Sequence, residues 1–310
     1  MKIIFFGTGK FGLPSLKKLF ASEHDIVGVV TQPDRKRGRG WNMLPSPIKA
    51  FAEKASPGID ILQPEKVSDA KFLEILREKK ADVFVVIDYG QYLVEEVWGM
   101  PGKYCVNLHP SLLPKYRGAS PVPWTILKGE MKTGNTVIKV SERMDAGDII
   151  LQSETNIGED EYAPELAGRL AQMGAELMLK AMDEIEKDNV QLVKQDEAQA
   201  SYASKLQKQD GKVDWSRPAI DIMRQIRALQ PWPGAFTLLN GKTLKIVTAE
   251  IVYGVKDTFS PGTIVDADEL IVKTSSDAIR INILQLEGKR EMTSQEFLKG
   301  HKHISGNTLG

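Results

Sequence analysis

Four apolar runs constrain the fold of the first half of this chain: 2–6 (KIIFF), 25–31 (DIVGVVT), 81–87 (ADVFVVI) and 104–108 (YCVNL). A strand with one wet face alternates apolar and polar residues. These runs do not alternate, so both of their faces must be covered. Stretches of helical periodicity lie between them, at about 13–21, 48–54 and 68–80, with a short strand near Ile61. Apolar strands alternating with helices predict a parallel sheet with helices on both sides. A further strand is expected at 136–140 (TVIKV), then a loop running into a strand (MDAGDIILQ, 144–152) and a long helix over 164–186. Between the second strand and the second helix, residues 32–47 (QPDRKRGRGWNMLPSP) show no usable period and are expected to form a Gly/Pro/Arg-rich loop.

From 187 to about 206 the text turns polar (KDNVQLVKQDEAQASYASKL). A turn and a helix are expected over 212–230. The remainder reads as short strands (LLNGKTLKIVTAEIVYG, GTIVDADELIVKTS, AIRINILQLEGK) punctuated by Asn-Gly, Pro-Gly and acidic turns, the pattern of a small antiparallel barrel. The expected architecture is therefore α/β. A Rossmann-like parallel-sheet domain covers 1–189, a linker 190–206, and a small C-terminal antiparallel β-barrel domain, OB-like, 207–310. The total of 310 residues suits two domains.

Charge and cysteine content restrict the function. The 41 basic and 41 acidic residues cancel, so the molecule as a whole is not built to bind polyanions indiscriminately. From Lys205 onward, however, 15 basic residues face 12 acidic ones. The single cysteine, Cys105, excludes an internal disulfide and suits a reducing compartment. The opening MKIIFFG is too short an apolar run for a signal peptide, and no window approaches a membrane span. A cytoplasmic protein is expected.

Two motifs compete for the site. Gly7-Thr8-Gly9-Lys10-Phe11-Gly12 satisfies G-x-G-x-x-G after a strand and before a helix, and Asp34 stands roughly where a ribose-binding carboxylate would. The chain would then be an NAD-dependent oxidoreductase. The bland alternative is that the glycines permit a tight turn and close helix packing. The second motif is VNLHPSLLPKYRGASP, in which Asn107 and His109 end a strand and Lys115, Arg117 and Gly118 follow. The Asp145-Ala146-Gly147-Asp148 turn lies 36 residues beyond His109 and could return a carboxylate to the same crevice. An amide to donate to an oxyanion, an imidazole to move a proton and a carboxylate to orient it are complementary chemistry. The bland readings are a polar strand end and two stabilised turns. Ser111 lacks the Gly-x-Ser-x-Gly elbow of an exposed nucleophile. Cys105 sits within an apolar strand, and His301-Lys302-His303 lies in a polar tail without metal-ligand spacing, so no metal is expected.

The stretches NLHPSLLPKYRGASPVPW and ERMDAGDII resemble the formyltransferases that use 10-formyltetrahydrofolate. The resemblance implies that Asn107, His109 and Asp145 are the catalytic set. It places Ser111, Leu112, Leu113 and Pro114 in the folate pocket, with the 87–93 segment, carrying Tyr89, Gln91 and Leu93, beside the pterin ring. The 32–47 stretch and the text YASKL…GKVDWSRPA…IRALQPWPGAF resemble the members of that family that formylate methionyl initiator tRNA for translation initiation. That implies a tRNA partner, met by Arg35, Lys36, Arg37 and Arg39 and by Lys205 and Lys208, with the enzyme a monomer. A UDP-amino sugar is the alternative acceptor. Two residues depart from the family pattern: Pro110, following the histidine, and Asp88, preceding Tyr-Gly. Both adjoin the expected folate pocket. Trp215 and Trp232 are expected to anchor core or turn rather than to stack on bases.

Overall fold

The computed structural model describes residues 1–37, 42–256, 258–301 and 304–310. Its chain order begins β1 (Lys2–Gly7), α1 (Leu13–Phe20), β2 (Asp25–Val30), β3 (Arg35–Arg37), β4 (Asn42–Leu44), α2 (Pro47–Ala55), β5 (Ile61–Leu62) and α3 (Ala70–Glu78). There follow β6 (Val83–Ile87), α4 (Glu95–Trp98), β7 (Tyr104–His109), α5 (Pro121–Leu127), β8 (Lys132–Lys139), β9 (Ile149–Asn156) and α6 (Ala163–Glu186). The chain separates into two compact units, one of residues 1–121, 132–156 and 167–203, the other of 122–131, 157–166 and 204–310.

The first unit holds a seven-stranded sheet in the order β5-β2-β1-β6-β7-β8-β9. The strands from β5 to β7 are mutually parallel, as the apolar runs require. The alternate residues of β1 show why. Ile3 and Phe5 enter a core with Leu16 and Leu19 of α1, Ile48 of α2 and Met178 of α6. Ile4 and Phe6 enter a second core with Phe72 and Leu76 of α3. All four β1 residues are inaccessible to solvent, each such side chain contributing about 1.5–3 kcal/mol. Ser46 starts α2 by accepting from Lys49 N (3.0 Å), with Pro47 at the first helical position. Asp69 caps α3 likewise through Phe72 N.

One sequence expectation needs correction, that of the 32–47 stretch, and the directions of two strands come from the structure alone. β8 and β9 are antiparallel to their neighbours. The chain leaves the carboxyl end of β7, re-enters the sheet at that end as β8, and returns through a short turn as β9, a connection that permits only antiparallel pairing. The 32–47 stretch also holds a two-stranded antiparallel ribbon, β3 with β4, pairing Arg35 with Leu44 and Arg37 with Asn42. Three-residue strands are too short to display a period. The ribbon's base is closed instead by contacts that spacing does not reveal: Thr31 Oγ1 with Ser46 Oγ (2.8 Å) and Lys49 Nζ with Asp34 (2.6 Å).

The second unit holds α7 (Ala219–Ala228), β10 (Ala235–Leu239), β11 (Lys242–Val252), β12 (Ile264–Asp266), β13 (Ile271–Lys273), β14 (Ala278–Leu286), β15 (Glu291–Thr293) and α8 (Ser294–Lys299). All strand pairs of its six-stranded sheet are antiparallel. Asn240 and Gly241, both at positive φ, close the β10–β11 hairpin in two residues, the Asn-Gly geometry that matches strand twist. Ile222 and Ile226 of α7 pack on Leu244, Ile246, Ile279 and Ile281. Trp215 is buried there and donates Nε1–H to Thr237 Oγ1 (3.1 Å), whereas Trp232 stands exposed in the turn before β10.

Candidate active site

Asn107 and His109 lie two residues apart on β7, so they face the same side of the sheet while Leu108 turns into the core. His109 Nε2 is 2.8 Å from the Tyr116 carbonyl. A carbonyl only accepts, so the ε nitrogen carries a proton and the δ nitrogen is the one open to chemistry. That Nδ1 lies 3.6 Å from Asp145 Oδ2. The other carboxylate oxygen, Oδ1, is 3.5 Å from Asn107 Nδ2. The three groups named from sequence therefore meet, at separations that catalytic sites commonly tighten when substrate binds. The His109 side chain is 5% exposed and that of Asp145 13%, so an incoming group reaches the carboxylate more readily than the ring.

Asp145 arrives through the turn that follows β8. β8 runs back past Asn107 until Lys139 pairs with Val106, and the following turn then brings the carboxylate up to Asn107 and His109. Asp145 itself takes φ +53°, and its Oδ2 accepts the Gly118 amide (2.8 Å). Gly147 is obligatory for this turn, because a Cβ there would lie 1.7 Å from the Lys139 carbonyl oxygen.

The Gly7–Gly12 turn is committed to structure. The amides of Thr8 and Gly9, which would cradle a pyrophosphate, donate to the Asp88 carbonyl (3.0 and 3.3 Å). A Cβ on Gly9 would overlap the Asp88 carboxylate, and one on Gly7 or Gly12 would press on the Ile87 carbonyl. The glycines thus let the turn close against the end of β6 and put a carboxylate where a dinucleotide would bring phosphate. Desolvation by the surrounding chain raises the Asp88 pKa. Asp34 is engaged by Lys49 and Gln63 (2.6 and 2.8 Å), which hold its carboxyl below the usual range.

Comparison with known proteins decides between the two motifs. Residues 1–182 match the family model described as formyl transferase, and 205–302 match that of the formyl transferase C-terminal domain. The chain belongs to the formyl transferase family. A methionyl-tRNA formyltransferase of Caldanaerobacter subterraneus is 42% identical over the full length of both chains. Another, from Geobacter metallireducens, is 39% identical over 100% of this chain and 99% of its own. Among solved structures, Aquifex aeolicus HypX in complex with tetrahydrofolic acid has a TM-score of 0.67 at 18% identity, covering 99% of this chain and 48% of that one. The sugar 3N-formyl transferase WlaRD has a TM-score of 0.66 at 21% identity, covering 94% and 99%. These structural likenesses establish the shared fold.

On this formyl transferase frame the remaining expected site residues divide. Ser111 is buried, donates to the Lys115 carbonyl (2.6 Å), and shapes the 111–114 turn, whose Leu113–Pro114 peptide is cis. Leu113 is buried, while Leu112 and Pro114 keep partial exposure. Tyr89 and Leu93 are core residues, and the Tyr89 carbonyl accepts from Thr8 Oγ1 (2.8 Å). Gln91 ties down the neighbouring loop, donating to the Pro64 carbonyl (3.2 Å) and accepting from Val67 N (3.1 Å). Arg35, Lys205 and Lys208 are exposed. Arg39 and the side chains of Lys36 and Arg37 lie outside the described residues. Cys105 is buried, and burial pushes its thiol well above the ordinary range. Among the described residues no cluster of three His, Cys, Asp or Glu is placed to hold a metal, and no helix is long and apolar enough to cross a membrane.

Sequence reasoning missed the residues that hold the site in place. Thr136 Oγ1 donates to the Ser111 carbonyl (2.6 Å) and accepts from Leu113 N and Gln152 Nε2 (3.1 and 3.0 Å), while Gln152 also donates to the Leu113 carbonyl (2.8 Å). Beside Asp145, the polar stretch after α6 supplies Gln195 and Glu197, which engage the buried Arg117. Arg117 and Arg143 hold the Glu197 carboxyl down to about 2. These side chains sit in polar text, and only their partners reveal their role.

Proposed function

We propose that this formyl transferase moves the formyl group of 10-formyltetrahydrofolate to the α-amino group of methionine esterified to initiator tRNA, with Asn107, His109 and Asp145 as its catalytic set. The observation that carries the chemistry is the meeting of amide, imidazole and carboxylate at the end of β7. The acceptor rests on the full-length likeness to methionyl-tRNA formyltransferases. The neutral amine attacks the formyl carbon, a C–N bond forms, and the formyl oxygen becomes an oxyanion. Asn107 Nδ2, whose contact with Asp145 leaves it another N–H, donates to that oxyanion. The proton lost by the amine enters the Asp145–His109 pair, first at the more accessible carboxylate. It returns to N10 of the folate as the C–N10 bond breaks, leaving formylmethionyl ester and tetrahydrofolate. His109 acts through Nδ1, since Nε2 is held by Tyr116.

The folate rests against the 111–114 turn and the backbone of the 87–93 segment. Asp88 lies beside that segment, so its carboxyl bears on the pocket's polarity. The tRNA is met by the basic residues of the 32–47 stretch, Arg35, Lys36, Arg37 and Arg39, and by Lys205 and Lys208 near the start of the C-terminal domain. Phosphate contacts of this kind position an RNA without reading its bases. The deciding experiment offers the enzyme 10-formyltetrahydrofolate with methionyl initiator tRNA and a UDP-amino sugar in parallel. Formylation of the tRNA alone is expected. Turnover of the sugar alone would retain the catalytic set and overturn the acceptor.

A further inference from the structure

We propose that Arg117, Gln195 and Glu197 form a positioning device that fixes the mutual geometry and the tautomer of His109 and Asp145. The inference rests on the catalytic assignment above. The carbonyl of Tyr116 receives the His109 Nε2 proton, and the amide of Gly118 donates to Asp145 Oδ2. One residue separates these two groups, so a three-residue strip of backbone sets both catalytic side chains at once. Its conformation is not a relaxed one: Tyr116 takes φ +63° and Gly118 φ +118°, and a Cβ on Gly118 would lie 2.7 Å from the Ala203 carbonyl oxygen. The strip needs an external anchor.

Arg117, between them, is that anchor. It is 2% exposed, and its guanidinium donates from Nε and Nη2 to Gln195 Oε1 (3.0 and 2.8 Å) and from Nη1 and Nη2 to Glu197 (3.1 and 2.9 Å). Its backbone is clamped as well, Arg117 N donating to the Ser201 carbonyl (2.9 Å) and Ala203 N to the Arg117 carbonyl (2.7 Å). Gln195 then closes the circuit. Its Nε2 donates to the carbonyls of both Asp145 and Gly147 (2.8 Å each), the two ends of the catalytic turn. Strip, anchor and turn are thus one hydrogen-bonded ring. Gln195 suits the link because its oxygen must accept from arginine while its nitrogen donates to carbonyls; a carboxylate would face those carbonyls without a proton.

The test uses Gln195→Met, which keeps bulk without the bonds, Gln195→Glu, which keeps only the arginine contact, and Arg117→Lys, which loses the fork. Expected is a fall in kcat of about 10- to 100-fold with both substrate KM values within about twofold. A displaced pH–rate profile should accompany it, together with loss of the single Nε2–H tautomer in the 15N signals of His109. Gln195→Glu should be at least as impaired as Gln195→Met. His109→Ala and Asp145→Ala are assayed beside them. Normal turnover in those two would end the catalytic assignment, whereas the 15N signals test the positioning role without reference to activity. A lowered melting temperature with unchanged kcat, pH profile and imidazole signals would overturn the proposal by reducing the ring to a structural brace. If Gln195→Met fails to fold, Glu197→Gln serves as the milder variant, with the same readings deciding.

Discussion

At the scale of single residues, the proposed site separates groups assigned to react from groups that permit. Asn107 belongs to the first kind. Asn107→Ala should lower kcat by about 10²–10³-fold, the usual result of removing one oxyanion donor, and leave the far-ultraviolet dichroism unchanged; steady-state kinetics on the purified variant check this. Gly147 belongs to the second kind. Gly147→Ala places a Cβ against the Lys139 carbonyl, so the turn must shift. A loss of about 1–3 kcal/mol of stability in urea titration is expected, together with a loss of turnover that Ala146→Gly, a neighbouring change with no such clash, does not share. Asn107, His109 and Asp145 could be singled out in the sequence because two stretches carrying them resemble a known family; by residue type alone a polar strand end and stabilised turns explain them as well. Gln195 and Glu197 could not. They stand in a run of polar residues with no period, and their partners lie about 50 and 80 residues away.

At the scale of elements, the legible parts were those whose side chains repeat. The doubly covered sheet follows from its apolar runs, and the C-terminal hairpins from their turn residues. The directions of β8 and β9 and the β3–β4 ribbon were hidden, because strand direction is decided by the connection and a three-residue strand shows no period. The ribbon nonetheless has a firm base in Thr31, Ser46, Asp34 and Lys49, so its effect on substrate can be isolated. Arg35→Ala and Arg39→Ala should each lower kcat/KM for tRNA, reduce the salt slope of tRNA binding by about one phosphate contact, and leave folate affinity unchanged in fluorescence titration. A parallel loss of folate binding would contradict the assignment. The segment after α6 carries a pH dependence of its own. Arg117 and Arg143 lower the Glu197 pKa from 4.5 to about 2. The stabilisation is therefore complete above pH 4.5 and is lost as the pH falls through about 2. Denaturant midpoints should decline across that window more steeply for the wild-type protein than for Glu197→Gln.

At the scale of the whole molecule, 41 basic residues balance 41 acidic ones, so the proposed polyanionic substrate would have to be met by local basic groups rather than by net charge. The turn that resembles a dinucleotide site is filled by its own Asp88. Isothermal titration with NAD or NADH should therefore show no saturable binding, and formyl transfer should proceed unchanged in its presence. Gly9→Ala, whose Cβ would meet the Asp88 carboxylate, should displace that carboxylate rather than alter any nucleotide affinity. The placement of Gln195 and Glu197 beyond α6 also bears on how such chains are recombined. A cut at residue 190, where the expected linker begins, separates the Asp145 turn and Arg117 from Gln195 and Glu197, although every strand of the first sheet is kept. A cut after Ala203 retains both. Chimaeras that exchange C-terminal domains between relatives should therefore carry 190–203 with the amino-terminal parent, and evolutionary shuffling of these modules faces the same seam.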